Sequence, residues 1–323
     1  MRYVFSFENS VQNYKKRDSF AGNKPIKLYF CFVISILGVT KKQRIMRKTV
    51  LAALCLMALL SGCNGDSKKA GALFQQAELA YASGDYSLAK LQIDSIRTLY
   101  PKAVEVRKAA IRLMQNIDMQ EQRKTLAYLD SMMLVKQAAF DSIKGNYVLE
   151  KDTAYQETGN YFYPTQVVEK NIGRSFLRAQ VNERGEMSLT SIYCAGGNIH
   201  HTAVKVSIDG DTFAQTQPSS DSYETTDLGR AIEKADYRVG KDDGGVASFI
   251  AANRDKRTFR LEFIGDRNYR TTMRRDDVKA IVAINDLARI LSAMEEIRKE
   301  QNEANLKLKF VMRKMKEAEK AEE

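Results

Sequence analysis

Apolar positions along the chain fall into three regimes. From Lys68 to Ile143 they recur in steps of three and four, the period of a helix with one buried face. Ala70, Leu73, Phe74, Ala77, Ala80 and Tyr81 mark a first helix, Lys68 to Ala82. Ser83-Gly84-Asp85 breaks it. Leu88, Ala89, Ile93 and Ile96 mark a second, Tyr86 to Leu99, which Pro101 ends. Lys102 to Ile143 contains no Gly or Pro, and its apolar series (Val104, Ala109, Ile111, Leu113, Ile117, Leu126, Leu129, Met133, Phe140, Ile143) predicts either one long helix or two joined near Asp118. A single helix of that length spans about 60 Å.

At Gly145 the period changes to two. Tyr161-Phe162-Tyr163, Ser175 to Val181, Glu186 to Tyr193, Ala203 to Ile208 and Phe259 to Ile264 read as strands. Asn182-Glu183-Arg184-Gly185 and Asp209-Gly210-Asp211 read as hairpin turns. Gly244-Gly245 leads into a short helical patch, Val246 to Ala252. From Arg275 to Glu323 the helical period returns. Ala280, Ala283, Leu287, Ile290, Met294, Ile297, Gln301, Ala304, Leu308, Val311, Met315 and Ala318 form a seam flanked by Glu, Lys and Arg, as in a coiled coil. Asp276 or Asp277 is placed to cap its start. The expected architecture is α+β: a helical hairpin (63–101), a long helical segment (102–144), an antiparallel sheet domain (145–274) and a long C-terminal helix (275–323). Ala280 to Ile297 is expected on the sheet. The remainder, with Leu308, Val311 and Met315, is expected to pair with the 102–143 helix or with another copy or partner.

A further apolar run lies ahead of these. Val50 to Leu60 follows Arg47 and Lys48 and ends in Leu60-Ser61-Gly62-Cys63. A basic start, an apolar stretch of about ten residues and small residues at the end make a signal peptide; the run is too short for a stable span, which needs about 20 residues. Leu60-Ser61-Gly62-Cys63 resembles the lipobox of bacterial lipoproteins. The resemblance implies cleavage before Cys63, acylation of its sulfur, and anchoring in a bilayer by two or three chains, which hold firmly where one holds marginally. An ordinary secretory signal or an uncleaved anchor with an incidental Cys is the alternative. Asn64 after the cysteine resembles lipoproteins sorted to the outer membrane of a Gram-negative cell, facing the periplasm. This signal begins at Met46, and residues 1–45 are read as a start assigned too far upstream; Leu28 to Val39 as a transmembrane segment is the rival reading.

Processing at Cys63 changes the charge. The whole chain carries 51 Lys and Arg against 40 Asp and Glu, net +11. Residues 1–63 hold 11 of the basic and 2 of the acidic residues, which leaves 40 and 38 beyond them, net +2. Net charge therefore gives no reason to expect nucleic-acid binding. Of Cys31, Cys55, Cys63 and Cys194, only Cys194 would remain as a free thiol, so the fold must be held by its core rather than by disulfides.

The first two helices resemble a tetratricopeptide repeat. Gly84, Asp85 and Tyr86 at the turn, Ala77, Ala89 and the closing Pro101 carry the likeness. It covers one repeat length, about 34 residues, and has no second copy. Leu73 and Ala80 stand where the family has aromatics. The resemblance implies a small peptide-docking module; a hairpin that packs on its neighbour is the plainer reading.

Candidate chemistry is sparse. His200-His201, with Cys194 six residues earlier, match no metal-ligand spacing, and adjacent strand residues point to opposite faces; one buried and one exposed histidine is expected. Cys194 reads as a small core residue rather than a nucleophile. Asp209-Gly210-Asp211 and Asp242-Asp243-Gly244 lack the acidic spacing of calcium loops and read as turns. Arg267, Arg270, Arg274 and Arg275 beside Tyr269 form a basic cluster, as a solvated rim or for anionic headgroups and cell-wall acids. Tyr147, Tyr155, Tyr161, Phe162 and Tyr163 read as sheet core, with sugar stacking the alternative. No catalytic motif, metal or cofactor is expected. The sequence suggests a non-enzymatic lipoprotein, anchored at Cys63 and acting through its helices, or else a ligand- or glycan-binding lipoprotein using the sheet domain.

Overall fold

The computed structural model describes residues 63–209, 212–227 and 229–321. The signal, including Leu60, Ser61 and Gly62, the upstream residues 1–45, and the tip Gly210-Asp211 lie outside the described residues. The chain divides into two compact units, 1–69 and 70–323. The described part of the first, 63–69, runs in helix α1 (Cys63–Ala82). The second unit carries every other described element. The protein is α+β, as its two periodicities imply.

Helices α2 (Tyr86–Leu99) and α3 (Val104–Ile143) complete the helical part. Gly84, at φ +81°, makes the left-handed turn between α1 and α2, and the Asp85 carboxylate caps α2 by accepting from Leu88 N at 2.9 Å. Tyr81 and Tyr86 stack at 5.8 Å across the turn. A small core joins these helices. Ala70, Ala77, Ala80 and Ala89 let the backbones approach, and Ile93, Ile96, Leu113 and Ile117 fill the space between. Lys90 of α2 meets Asp118 at 2.8 Å and Glu121 at 2.6 Å on α3. Of the two readings for 102–143, one continuous helix is observed; Asp118 is its link to α2 rather than a break.

Two antiparallel sheets come next. One runs in the order β1 (Val148–Glu150), β2 (Asn160–Phe162), β3 (Phe176–Asn182), β4 (Met187–Ala195), β8 (Arg230–Arg238), β7 (Ser222–Asp227). The other runs β10 (Tyr269–Thr272), β9 (Arg260–Ile264), β5 (Ala203–Asp209), β6 (Thr212–Gln215). Asn182–Gly185 is the β3–β4 turn, as its residues imply. Gly185 takes φ +85° there, and a Cβ on it would overlap the Ser292 backbone, so only Gly lets the hairpin meet the C-terminal helix. Strands β1, β6, β7, β8 and β10 have no counterpart in the hydrophobic pattern. Helix α4 (Val246–Ala252) matches its expected bounds.

Helix α5 (Arg275–Lys320) is about 70 Å long. Its first half closes the main core. Val278, Ile281, Ile284, Leu287, Ala288 and Leu291 pack with Leu177, Ala179 and Val181 of β3, Leu189 of β4, Val204 and Val206 of β5, Leu261 and Phe263 of β9, and Val246 and Ile250 of α4. The core-packed positions are thus 278, 281, 284, 287, 288 and 291; Ala280 and Leu287 of the expected seam are buried, and the rest of the buried face is turned partly away from it. The second half runs antiparallel along α3, where Gln301 donates to Asp130 at 2.7 Å. Leu129, Met294, Ile297 and Ala304 are buried on this stretch. Both helices rise equally per residue, so the same register puts Leu308, Val311 and Met315 level with about residues 116–123 of α3; all three are half-buried. Helices α3 and α5 of the one chain thus pair around Gln301 and Ala304.

Candidate functional site

The loop Ile199–His201 precedes β5 and lies against β8. Glu233 of β8 points inward between Ala231 and Ala235. Its carboxylate accepts from Ile199 N (2.6 Å), His200 N (3.0 Å), His201 N (2.9 Å) and His201 Nδ1 (2.9 Å). Three successive amides converge because His200 adopts φ +51°, the one non-glycine left-handed residue among those described. Successive amides around such a residue form a nest for an anion, and here the anion is part of the chain. Gly265 stands behind, where a Cβ would overlap the Ile199 carbonyl.

From Glu233 the network continues inward. His201 Nε2 lies 2.8 Å from Ser191 Oγ, and Ser191 lies 3.2 Å from the Tyr237 hydroxyl, which donates to Thr202 O at 3.0 Å. Burial holds His201 below its usual pKa against the opposing pull of Glu233. Burial also pushes Glu233 up, but the bonds from His201, Ile199 and His200 outweigh it and leave the carboxyl below its ordinary range. The consistent assignment is a neutral His201 with Nδ1–H toward an ionised Glu233 and Nε2 accepting from Ser191. Burial pushes the Tyr237 hydroxyl up to about 12.

Ser191, His201 and Glu233 therefore have the connectivity of a Ser–His–acid triad. They are 0, 2 and 1% exposed, which closes them to solvent. A nucleophile has to reach its substrate, so this arrangement is a buried polar strut. His200 is exposed and shares its Nδ1 with Glu224 at 2.9 Å, which raises its pKa. His200, Glu224 and Glu233 come within metal-ligand reach of one another. Glu233, however, already receives four hydrogen bonds on its four lone-pair sites, so it has none left for an ion.

The remaining sequence candidates are dispersed. Cys194 is half-buried on β4, opposite Ile232. Asp242 binds Arg238, and buried Asp243 accepts from Gly240 N (2.9 Å) and Ala247 N (3.2 Å), which makes 242–244 a turn that starts α4. Tyr147 donates to Ala283 O at 3.0 Å and meets Tyr163 edge-on; Tyr161 packs on Phe140, and Phe162 is buried. Only Tyr155 stands free, at 90% exposure. Arg267 bonds Asn198 O and Arg270 pairs with Glu262, so the run 267–275 does not act as one basic cluster.

Two clefts were not legible. One, of about 470 Å³, lies between the β3–β4 turn, the end of β8 and α5. Amides (Asn160, Asn182, Asn285), hydroxyls (Ser188, Ser292), the cations Arg238, Lys241 and Arg289 and the carboxylate of Glu186 line it, with no aromatic ring. The other, of about 200 Å³, lies where the segment after α4 meets the start of α5, and is lined by Arg254, Lys256, Arg257, Arg275 and Lys279. No helix among the described residues is long and apolar enough to cross a membrane. No protein-family model, curated protein or solved structure matches this chain, so its function has to be argued from its own residues.

Proposed function

We propose that this is a non-enzymatic lipoprotein of the bacterial envelope, anchored through acylated Cys63 and serving as an interaction scaffold through α3 and α5. The observation that carries the reading is the tripartite signal ending in Leu60-Ser61-Gly62-Cys63. Two features of the body support it. The Ser191–His201–Glu233 network is sealed from substrate. The paired helices leave large apolar side chains in water: Tyr128, Leu134 and Val135 on α3, and Leu306, Phe310 and Met312 on α5 are each more than half exposed. Of these, Tyr128 with Val135 on α3 and Leu306 with Phe310 on α5 are spaced to share a helix face, and an exposed apolar face is a surface at which a protein partner can dock.

Cys63→Ala should move the protein from the membrane pellet to the soluble fraction and abolish incorporation of labelled palmitate. Continued integral association would overturn the anchor. For the scaffold role, in-cell cross-linking should capture a partner or a second copy, and deletion of 306–323 should remove that product; an unchanged cross-linking pattern would make the end of α5 a passive tail.

A second reading, a ligand-binding lipoprotein, draws on the larger cleft. Its volume of about 470 Å³ falls within the range of small-molecule sites. Its amides, hydroxyls and three cations, of which Arg238 is paired with Asp242, outnumber the one lining carboxylate, Glu186, and suit an acidic saccharide held by hydrogen bonds rather than by stacking. Binding of soluble cell-wall fragments, lost on Arg289→Ala, would favour it.

A further inference from the structure

Five cations surround the smaller cleft without a counter-ion. Arg254, Lys256 and Arg257 come from the segment between α4 and β9, and Arg275 and Lys279 from the first turns of α5. The β9–β10 hairpin brings them together. Its register pairs Arg260 with Thr272, and Met273 N continues it to Phe259 O at 2.9 Å. Beyond that last pairing, Arg257 on one arm and Arg275 on the other line the same cleft. Lys279 follows one helical turn later, on the same face of α5 as Arg275. Buried Phe259, Met273 and Val278 form a fixed floor.

No carboxylate lines the cleft. None of the five cations has a side-chain hydrogen bond or ion pair among the described residues. Nearby cations do: Arg174 pairs with Asp277, Arg238 with Asp242 and Arg270 with Glu262. Of the two carboxylates in the first turn of α5, Asp277 is turned inward to Arg174 and Gln166, and exposed Asp276 is not among the residues that line the cleft. The N-terminus of α5 has no side-chain cap, so its positive end adds to the local field. Like charges held this close repel one another, and an anion seated among them relieves the repulsion. The volume, about 200 Å³, is below the range for whole small-molecule ligands but admits one anionic group. Guanidinium forks and ammonium groups together match a phosphate's oxygens.

We propose that this cleft is a phosphate-binding site, and that its ligand is a terminal phosphate, either free or borne on a lipid headgroup. The proposal does not depend on the anchor or on the scaffold role.

The test uses the full-length protein in neutral detergent micelles, followed by thermal unfolding. Inorganic phosphate is one probe, against sodium chloride of equal ionic strength. Phosphatidic acid doped into the micelles, against phosphatidylcholine, is the other. A specific ligand at a hundredfold excess over its Kd should raise the midpoint by roughly 5–10 °C. The double substitution Arg257→Gln with Lys279→Gln should abolish the shift. Without ligand, that variant should melt at or above the wild-type temperature, because repulsion has been reduced. A response to phosphate alone identifies a soluble ligand, and a response to phosphatidic acid alone identifies a lipid phosphate. A shift no larger than that of chloride or phosphatidylcholine, or one that survives the double substitution, overturns the proposal.

Discussion

Glu233→Gln is the substitution that probes the buried strut most directly. It keeps the shape of the side chain and removes the charge. The glutamine oxygen can accept at most two of the four bonds that Glu233 now receives, and its NH2 group would face the other donors. Two buried donors are therefore stranded. Each costs about 1–3 kcal/mol, so the two together cost about 2–6 kcal/mol. The expected loss is about 4 kcal/mol, a large part of the 5–15 kcal/mol that keeps most domains folded. In thermal melts this is a fall of roughly 8–16 °C, and in urea an earlier midpoint with unchanged slope. The pH dependence carries the same signature. His201 is held below 6.5 and Glu233 below 4.5 in the folded protein. As pH falls below about 6.5 the unfolded chain takes up a proton at this histidine before the folded one does, and below about 4.5 the same holds for the glutamate. Both contributions to stability are present at neutral pH and lost on acidification. Exposed His200, raised by Glu224, acts in the opposite direction: its contribution is present below 6.5 and fades as pH rises through its raised pKa. Glu224→Gln should remove that small term and leave the melt at pH 8 unchanged. The strut would be refuted by a Glu233→Gln loss under about 1 kcal/mol, or by wild-type stability that stays flat between pH 7.5 and 4.

Three other substitutions test the packing. Asp277→Asn breaks the buried contact with Arg174 and Gln166 and should cost about 3 kcal/mol in urea titrations. Gly185→Ala combines a left-handed φ with overlap on the α5 backbone, and should cost at least ~2 kcal/mol while shifting the amide resonances of both the β3–β4 turn and the helix around Ser292. Ala304→Leu overfills the α3–α5 contact and should destabilise by about 1–3 kcal/mol; an unchanged urea midpoint would mean that the two helices are not tightly packed there.

The helices were legible because each carries its own punctuation. Tyr86–Leu99 and Val246–Ala252 sit between breakers (Gly84 and Pro101, Gly245 and the segment after Ala252) and show a complete apolar face, so local signals suffice. Strands β3, β4, β5 and β9 alternate Val, Leu, Ile and Phe with polar residues and were equally visible. Edge strand β7, Ser222 to Asp227, has no buried residue; only its pairing with β8 makes it a strand. Strand β8 is hidden for a different reason. Its buried positions are Ala231, Glu233, Ala235 and Tyr237. An inward glutamate breaks the apolar alternation, so the residue that organises the buried network also erases the strand that presents it.

The cationic cleft follows the same logic. Along the chain, Arg267, Arg270, Arg274 and Arg275 look like the cluster, because they are close in number. An antiparallel hairpin does not preserve such closeness. It reflects the chain about its turn, so residues equally distant from the turn meet and those near the turn are carried to the far end. Arg267 belongs to the β9–β10 turn and Arg270 to a strand that faces Glu262, whereas Arg257 and Arg275, on opposite sides of the hairpin, are brought together at the open end. Reading two basic runs on either side of a strand pair as one patch requires the register, and the register is fixed by Leu261 and Phe263 turning into the core. The site is therefore a consequence of strand packing: a slip of β9 against β10 by one residue would offset the two basic flanks, and would do so only by turning that buried face out to water.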